Sequence, residues 1–280
     1  MINNLSSGSY PEDRTGKHIR LNNFFPRAAP ALASVLCLLF SVLFFSACAT
    51  IPDPEDIKKA DAYNKLGSSY LNNGQLNEAF VKFQIALDLD PKNKETLNYL
   101  GYISARFKKY DDAVSYYERA ISVDPNYSDA INNLGVTYAE LEDWDKAIQH
   151  FKDALNNPMY RTPDWAYSNL GYAYYKQGNY TEAENALREA LVRNPVFPGA
   201  MYILGLVYTE RGNEKAAIKE FKKAIGILPD YMDAHWELAN AYLRLGEKAR
   251  ALKHFRVVAE KDENTARSRD ASDYIERLKY

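Results

Sequence analysis

The chain has 280 residues, and its 35 Lys and Arg side chains are nearly balanced by 37 Asp and Glu, giving a formal net charge of −2. This mild acidity argues against a nucleic-acid partner, because no basic stripe is present to neutralise phosphates. The only cysteines, Cys37 and Cys48, lie near the start, so the rest of the chain has no thiol and no disulfide. Such a chain suits an oxidising compartment, where nothing can mispair.

Residues 1–47 are predicted to be a signal segment. A basic flank that includes Arg20 and Arg27 precedes an uncharged, apolar stretch at residues 28–47. About 20 apolar residues are enough to span a membrane, and basic residues on the N-terminal side keep that side in the cytoplasm. Everything after the stretch is therefore expected to be exported.

The apolar stretch ends at Ala47 and is followed by Cys48. The sequence Phe45-Ser46-Ala47-Cys48 resembles the bacterial lipoprotein signal. The resemblance implies that Cys48 is lipidated and becomes the mature N-terminus, with this covalent lipid as the only attached group and no other cofactor. Several acyl chains would anchor the protein stably, since each buried methylene adds about 0.8 kcal/mol. Ala49 rather than Asp follows the cysteine, which implies the outer membrane, on its periplasmic face. Phe45 stands where Leu is usual, and an uncleaved membrane anchor is the alternative.

Residues 48–59 are predicted to form a tether. The segment is polar, contains Pro52 and Pro54, and shows no apolar periodicity. Proline removes a backbone donor and restricts the residue before it, so a semi-extended conformation is expected. Such a tether would keep the rest of the chain near a membrane without forcing it onto the surface.

Two columns of small residues repeat along residues 60–265. The first has spacings of 34, 34, 36, 34 and 34 residues and consists of Gly67, Gly101, Gly135, Gly171, Gly205 and Ala239. The second has the same spacings and consists of Ala79, Ala113, Ala147, Ala183, Ala217 and Ala251. Two independent columns that share one period and one two-residue slip indicate a repeat array.

The pattern around these columns resembles the tetratricopeptide repeat. A bulky side chain is expected to pack on the small residues of each unit: Phe83, Tyr117, Phe151, Leu187, Phe221 and Phe255. The resemblance implies an all-α, right-handed solenoid of six helical hairpins, with units at 60–93, 94–127, 128–163, 164–197, 198–231 and 232–265. Residues 266–280 are predicted to form a capping helix, because Ala271, Tyr274, Ile275 and Leu278 make an apolar stripe at helical spacing.

One spacing of the array is 36 residues instead of 34. The two additional residues lie in the segment 156–167, between the third and fourth units. This segment and residues 193–200 resemble the type IV pilus biogenesis lipoproteins, as do the signal and the number of repeats. Those proteins are outer-membrane pilotins that help the secretin ring assemble. The resemblance implies an envelope protein, and specifically a secretin subunit, as the partner.

A peptide-binding groove is predicted along the first helices. Asn64, Asn98 and Asn132 recur at one offset, followed by Ser168, and side-chain amides can hydrogen-bond an extended backbone of any sequence. Aromatic side chains of the kind that anchor interfaces come from the later units: Trp165, Tyr172, Tyr175, Tyr202 and Trp236. The alternative is that the asparagines only solvate an empty groove and the tyrosines pack between helices.

No pattern for catalysis or metal binding is present. The four histidines, His18, His150, His235 and His254, are scattered, and the glycines follow the helix-crossing period rather than a phosphate loop. We therefore predict a non-enzyme without a metal site or small-molecule substrate. It would be a membrane-anchored adaptor for protein–protein interaction that aids secretin assembly in type IV pilus biogenesis.

Two other functions stay open. The chain would suit a periplasmic scaffold that docks cell-wall enzymes or proteases. It would also suit a structural subunit of an outer-membrane assembly complex that acts through its convex face. Groove mutations are expected to be silent in that last case, whereas mutations on the convex face are not.

Overall fold

The computed structural model describes residues 53–262 and 265–278. Thirteen α-helices and no strand occur in these two ranges. The helices are α1 (Pro54–Asn72), α2 (Leu76–Leu89), α3 (Lys94–Arg106), α4 (Tyr110–Val123), α5 (Ser128–Glu140), α6 (Trp144–Leu155), α7 (Pro163–Lys176), α8 (Tyr180–Arg193), α9 (Pro198–Glu210), α10 (Glu214–Ile227), α11 (Met232–Arg244), α12 (Lys248–Lys261) and α13 (Ala266–Leu278). The signal segment, Cys48 and the start of the tether lie outside the described residues.

The first twelve helices form six consecutive pairs. Three residues connect the two helices of every pair, and four residues connect most pairs to the next, with a longer connection at 156–162. Connections this short place neighbouring helices antiparallel. The predicted all-α solenoid of six helical hairpins followed by a C-terminal helix is thus confirmed.

The start of α1 differs from the prediction. Residues 54–59, expected within the tether at 48–59, are helical. Asp53 caps the helix, since its Oδ1 accepts a hydrogen bond of 2.9 Å from the backbone N–H of Glu55. Pro54 occupies the first helical position, where its fixed φ suits a helix and its missing N–H would have no partner anyway. The prediction that the tether extends to residue 59 is wrong because proline at this position starts a helix.

Each hairpin closes on the small residue of its first helix. A methyl group added to Gly205 would lie 2.4 Å from Cε1 of Phe221, and one added to Gly171 would lie 2.5 Å from Cγ of Leu187. Both distances are far shorter than a carbon–carbon contact, so only glycine permits this approach. The bulky partner side chains of all six units are buried, as the sequence predicted.

The first helix of each pair lies on the inner side of the solenoid. Neighbouring first helices from α3 to α11 contact one another, whereas contacts between neighbouring second helices are sparser. In a curved stack, the helices that approach more closely line the concave face. The second helices therefore form the convex face.

The helix α13 covers the end of the array. The ring of Tyr274 stacks on Phe255, with 4.9 Å between centroids and 2° between planes, and Ala271 is completely buried. Ile275 and Leu278 pack against the same core. This apolar stripe shields the last unit, which would otherwise expose its core face to water.

Candidate protein-binding groove

One side chain of each unit occupies the same position in the first helix. We call this set the groove row: Asn64, Asn98, Asn132, Ser168, Tyr202 and Trp236. All six were predicted to face a peptide ligand. The structure divides them into a polar group in units one to four and an aromatic group in units five and six.

The asparagines of the groove row join consecutive units. Oδ1 of Asn98 accepts a hydrogen bond of 3.0 Å from Nδ2 of Asn133, and Oδ1 of Asn132 accepts one of 3.1 Å from Nδ2 of Asn169. In the first unit, Oδ1 of Asn64 accepts from the Thr96 hydroxyl at 2.8 Å. Each bond reaches from one first helix to the next.

These contacts correct the predicted peptide ladder. Asn98, Asn132 and Ser168 expose only 9%, 7% and 5% of their surface. The amide oxygens of Asn98 and Asn132 are already used between units, so an open row of amides along the groove is not formed. Sequence spacing gave the correct helix face, but it did not show that the neighbouring helix covers most of the row.

The aromatic members of the groove row also pack within the solenoid. The ring of Tyr202 lies 5.1 Å from that of Tyr231, the residue immediately before α11. Trp236 lies edge-on to Phe255 at 5.4 Å and to Tyr274 of the capping helix at 5.9 Å. For these two residues the structure shows the packing that the alternative interpretation expected.

The other predicted aromatic residues are more accessible. Trp165 is 54% exposed and Tyr172 is 38% exposed, both on α7. The ring of Trp165 lies 4.7 Å from Phe197, which holds it in place without covering it. Tyr175 is partly buried, with its ring 6.2 Å from that of Tyr180. Trp165 and Tyr172 are thus the predicted residues best placed to contact another protein.

Tyr172 forms one wall of a cavity of about 370 Å³ between α5, α6 and α7, which we call the groove pocket. Its other wall is Trp144, whose ring is nearly perpendicular to that of Tyr172, at 81° and 6.1 Å between centroids. Phe151 contributes to the apolar base. Glu140 and Lys176 lie at the rim, with the Lys176 ammonium 5.7 Å from the Trp144 ring.

Sequence reasoning missed Trp144. A signal for it exists, because the second helix begins with a large side chain in the first four units and with a charged one in the last two. The large residues are Leu76, Tyr110, Trp144 and Tyr180, and the charged ones are Glu214 and Lys248. The groove pocket therefore lies where a bulky side chain at the hairpin turn meets the first helix of the following unit.

The concave face is more polar in the first units. Two depressions of about 600 and 500 Å³ follow α1, α3 and the start of α5, and they share Asn72 and Tyr99. Asp61, Lys65 and Arg106 contribute charged groups to them. Asn64 lines the first depression and Asn98 the second, so these two members of the groove row lie among the other polar residues of the concave face.

The helix pairs, the closure on glycine and the inner row of first helices match one repeat family. Sequence models of the tetratricopeptide repeat match residues 64–121 and 168–231, residues 95–157, and residues 208–271. The chain belongs to the tetratricopeptide repeat (TPR) family. A comparison with curated protein sequences gives no significant match.

Solved structures share the same TPR architecture. The crystal structure of PilW, described as a widely conserved type IV pilus biogenesis factor, has a TM-score of 0.71 at 24% identity and covers 76% of this chain and 98% of that one. PilF of Pseudomonas aeruginosa has a TM-score of 0.70 at 16% identity, covering 78% of this chain and 99% of that one. MamA has a TM-score of 0.53 at 30% identity, covering 59% and 95%. The first two likenesses show a shared fold.

Burial affects ionisation on the concave face of the last two TPR units. It raises the pKa of the Glu237 carboxyl above its usual range; Arg244 opposes this shift, while Asp233 adds to it. Burial likewise raises the pKa of the Tyr202 hydroxyl, and Glu237 adds to this effect. Both groups therefore keep their protons to a higher pH than they would in water.

The connection between the third and fourth units presents a further apolar group. Nδ2 of Asn157 donates to the Asn126 carbonyl at 2.9 Å and lies 3.1 Å from the Ser128 hydroxyl, which ties the loop to the preceding turn. Met159 of the same loop is 81% exposed. The irregular junction predicted from the sequence thus displays an uncovered methionine on an anchored loop.

The histidines are less scattered than predicted. Nδ1 of His235 lies 2.9 Å from Nδ1 of His254, so the sixth unit contains a histidine pair. No group of three or more His, Cys, Asp or Glu able to hold a metal occurs in residues 53–262 and 265–278. Over the same part of the chain, no helix is both long and apolar enough to cross a membrane. Cys48 and the apolar stretch at 28–47 are outside it.

Proposed function

We propose that this TPR protein is an adaptor that binds a segment of another protein through the groove pocket and the exposed side chains beside it. The observation that carries the proposal is the pair of accessible aromatic residues, Trp165 and Tyr172, beside a preformed cavity that has two aromatic walls and a polar rim. Aromatic side chains bury a large area while losing few rotamers, and they dominate the energy of many interfaces.

The groove pocket suits one apolar or aromatic side chain of the partner. Its volume of about 370 Å³ exceeds that of a single large side chain, and its two perpendicular rings form a rigid corner. A rigid pocket lowers the ordering cost of binding, so the surface buried contributes more of its energy to affinity. Glu140 and Lys176 at the rim would help orient the partner through polar contacts.

The finer part of the proposal concerns place and partner. The protein would be attached through a lipid on Cys48 to the periplasmic face of the outer membrane, and it would aid assembly of a secretin in type IV pilus biogenesis. The lipoprotein-like sequence at residues 45–48 supports the anchor. The fold shared with PilW and PilF, and the resemblance of the junction at residues 156–167, support the partner.

A co-purification experiment tests the groove. The double variant Trp165→Ala/Tyr172→Ala should lower recovery of the secretin from detergent-solubilised envelopes by about 10-fold or more, as expected for loss of two central aromatic contacts. The matched control is Val81→Ala/Val192→Ala, which removes two exposed apolar side chains on second helices. Circular dichroism should show the same helicity for all three proteins.

The possible outcomes separate the parts of the proposal. A secretin lost from the groove variant but retained by the control supports both the site and the partner. A different envelope protein with the same behaviour supports the site and rejects the secretin. Loss in the control alone would reject the groove and favour a structural subunit that acts through its convex face. Labelling with radioactive palmitate, abolished by Cys48→Ser, tests the anchor separately.

A further inference from the structure

Basic side chains are concentrated on the convex face of the last two units. Helix α12 carries five Lys or Arg residues against one Glu, and α10 carries four against two acidic residues. The corresponding helices of the first two units have the opposite balance, since α2 and α4 each carry one basic residue and an excess of acidic ones. A chain with a net charge of −2 thus presents a positive region at one end.

A cavity of about 350 Å³ lies within this region, between α10, α11 and α12, and we call it the convex pocket. Basic side chains and an apolar floor line it: Lys222, Arg250, Lys253, His254, Ile225 and Leu238. Gly226 adds no side chain and leaves the space open. The convex pocket is separate from the groove, because second helices form most of its walls.

The positive charges of the convex pocket are only partly neutralised. Arg250 forms an ion pair with Glu247 at 2.6 Å. Lys222 and Lys253 have no ion-pair partner in the part of the chain that the structure describes. Nearby carboxylates are engaged elsewhere, since Glu220 binds Lys223 and Asp230 binds Lys261. The pocket therefore keeps an excess of about two positive charges.

The hydrogen bonds of the histidine pair determine which ring nitrogen of His254 carries the hydrogen. Nε2 of His235 lies 3.0 Å from the Pro229 carbonyl, which can only accept, so Nε2 of His235 carries the hydrogen. In the neutral ring, Nδ1 of His235 then accepts a hydrogen bond from Nδ1–H of His254. This leaves Nε2 of His254 unprotonated, on a residue that lines the same cavity as Lys222, Arg250 and Lys253.

We propose that the convex pocket binds a phosphate group, either free or as the headgroup of an anionic phospholipid. Two unpaired ammonium groups and one guanidinium match the charge of a phosphate, and Arg supplies a fork of donors suited to its oxygens. Protonation of His254 at Nε2 would add a further donor once a negative charge is present. The apolar floor would accommodate the carbon atoms attached to a phosphate ester.

Histidine NMR of the full chain, titrated with inorganic phosphate, tests the site. Burial, His235, Lys253 and Lys222 together lower the pKa of His254 to about 4 without an anion. Bound phosphate offsets the positive charge, so the pKa of His254 should rise by about one unit or more. His150 occupies the same position in the third unit and lacks this basic pocket, so its pKa should not change.

Two double variants decide whether the pocket is responsible. Lys222→Gln/Lys253→Gln should weaken phosphate binding by about 10-fold or more, since it removes both unpaired charges. Lys215→Gln/Lys219→Gln, which removes two exposed lysines of α10 outside the pocket, should leave it unchanged. The proposal is overturned if His254 does not respond to phosphate, or if both variants respond equally.

Vesicles distinguish the two sources of phosphate. Binding to phosphatidylglycerol vesicles but not to phosphatidylcholine vesicles, lost in Lys222→Gln/Lys253→Gln, identifies a lipid headgroup and a second membrane contact. To remove the contribution of any N-terminal anchor, all proteins in this comparison carry Cys48→Ser. A phosphate response in NMR without pocket-dependent vesicle binding identifies a soluble phosphate compound.

Discussion

The two halves of the TPR array join their units by different chemistry at the same repeat position. In the first half, Asn98 and Asn132 form amide–amide hydrogen bonds to the following first helix. In the second half, Tyr202 contacts the ring of Tyr231, immediately before the next first helix, and Trp236 contacts Tyr274 of the capping helix. The residue at this position thus determines whether the contact between consecutive units, which we call the seam, is polar or apolar.

This difference has consequences for stability and binding. A buried hydrogen bond gives a net gain of about 1 kcal/mol, because it replaces bonds to water. A large buried aromatic side chain contributes about 3 kcal/mol or more. The aromatic seams should therefore hold the second half together more firmly. The convex pocket lies in this half and so has aromatic contacts around it, whereas the groove pocket spans the polar contact between Asn132 and Asn169.

The largest expected effect is at the last aromatic seam. Trp236→Ala should lower the free energy of unfolding by about 3 kcal/mol, because it removes the ring packed on Phe255 and Tyr274. Chemical denaturation followed by circular dichroism measures the change. Trp165→Ala is the matched control, since this tryptophan is largely exposed and should cost less than half as much. Equal losses would contradict the claim that seam packing stabilises this half.

Acid should weaken the second half more than the first. Folding lowers the pKa of His254 below its ordinary value of 6.5, to about 4, through burial and the nearby positive charges. The folded state therefore binds fewer protons, and stability is full above pH 6.5 and falls as pH decreases toward 4. Because the ring is partly exposed, solvent screens the charge and the loss from this group is about 1 to 2 kcal/mol.

Denaturation curves between pH 7 and pH 4 measure this loss. The variant His254→Gln should show a shallower dependence on pH than the unmodified protein. His150→Gln is the control from the first half, where burial also lowers the pKa but no second histidine is in contact. If His150→Gln flattens the curve as much as His254→Gln does, the histidine pair has no special effect.

Both halves depend on close approach of the helices within each hairpin. Gly205→Ala should destabilise the protein by about 1 to 2 kcal/mol, because the new methyl group collides with Phe221. Gly226→Ala meets no atom within 4 Å and should stabilise by up to about 1 kcal/mol through helix propensity. Thermal unfolding measures both changes, and we expect a lower melting temperature for Gly205→Ala and a higher one for Gly226→Ala. Stabilisation by both would mean that the hairpin is looser than described.

The smallest effect is expected at a polar seam. Asn98→Ala removes the acceptor of the Asn133 amide and should cost about 1 kcal/mol, since water can reach the partly exposed donor. Urea denaturation gives the change in free energy. Asn98→Asp retains an acceptor and is the control, with a smaller loss expected. A cost equal to that of Trp236→Ala would remove the distinction between the two halves.

The fold could be predicted because the closing contacts lie within single units. Gly205 and Phe221 belong to one hairpin, and their spacing recurs in every unit, so the period alone indicates the contact. The groove was harder to predict because its composition depends on the neighbouring unit. The sequence shows that Asn132 faces inward, but not that Asn169 of the next helix takes its amide oxygen.

Other differences between the sequence-based predictions and the structure also have local causes. Pro54 follows a capping Asp and therefore begins α1, although proline more often interrupts helices. His235 replaces the apolar residue that most other units place at this position, such as Leu97 or Met201, and only the structure shows that it meets His254. Trp144 was missed because its role requires the ring of Tyr172 from the following unit.

The most direct measurement of the proposed binding site is site-specific photocrosslinking in intact envelopes. A photoreactive side chain replaces Tyr172 in the groove pocket or, in a second protein, Val192 on the helix α8, which is 74% exposed. The groove position should yield one discrete crosslinked partner, and the α8 position should yield none. The same partner from both positions, or from Val192 alone, would contradict binding through the groove.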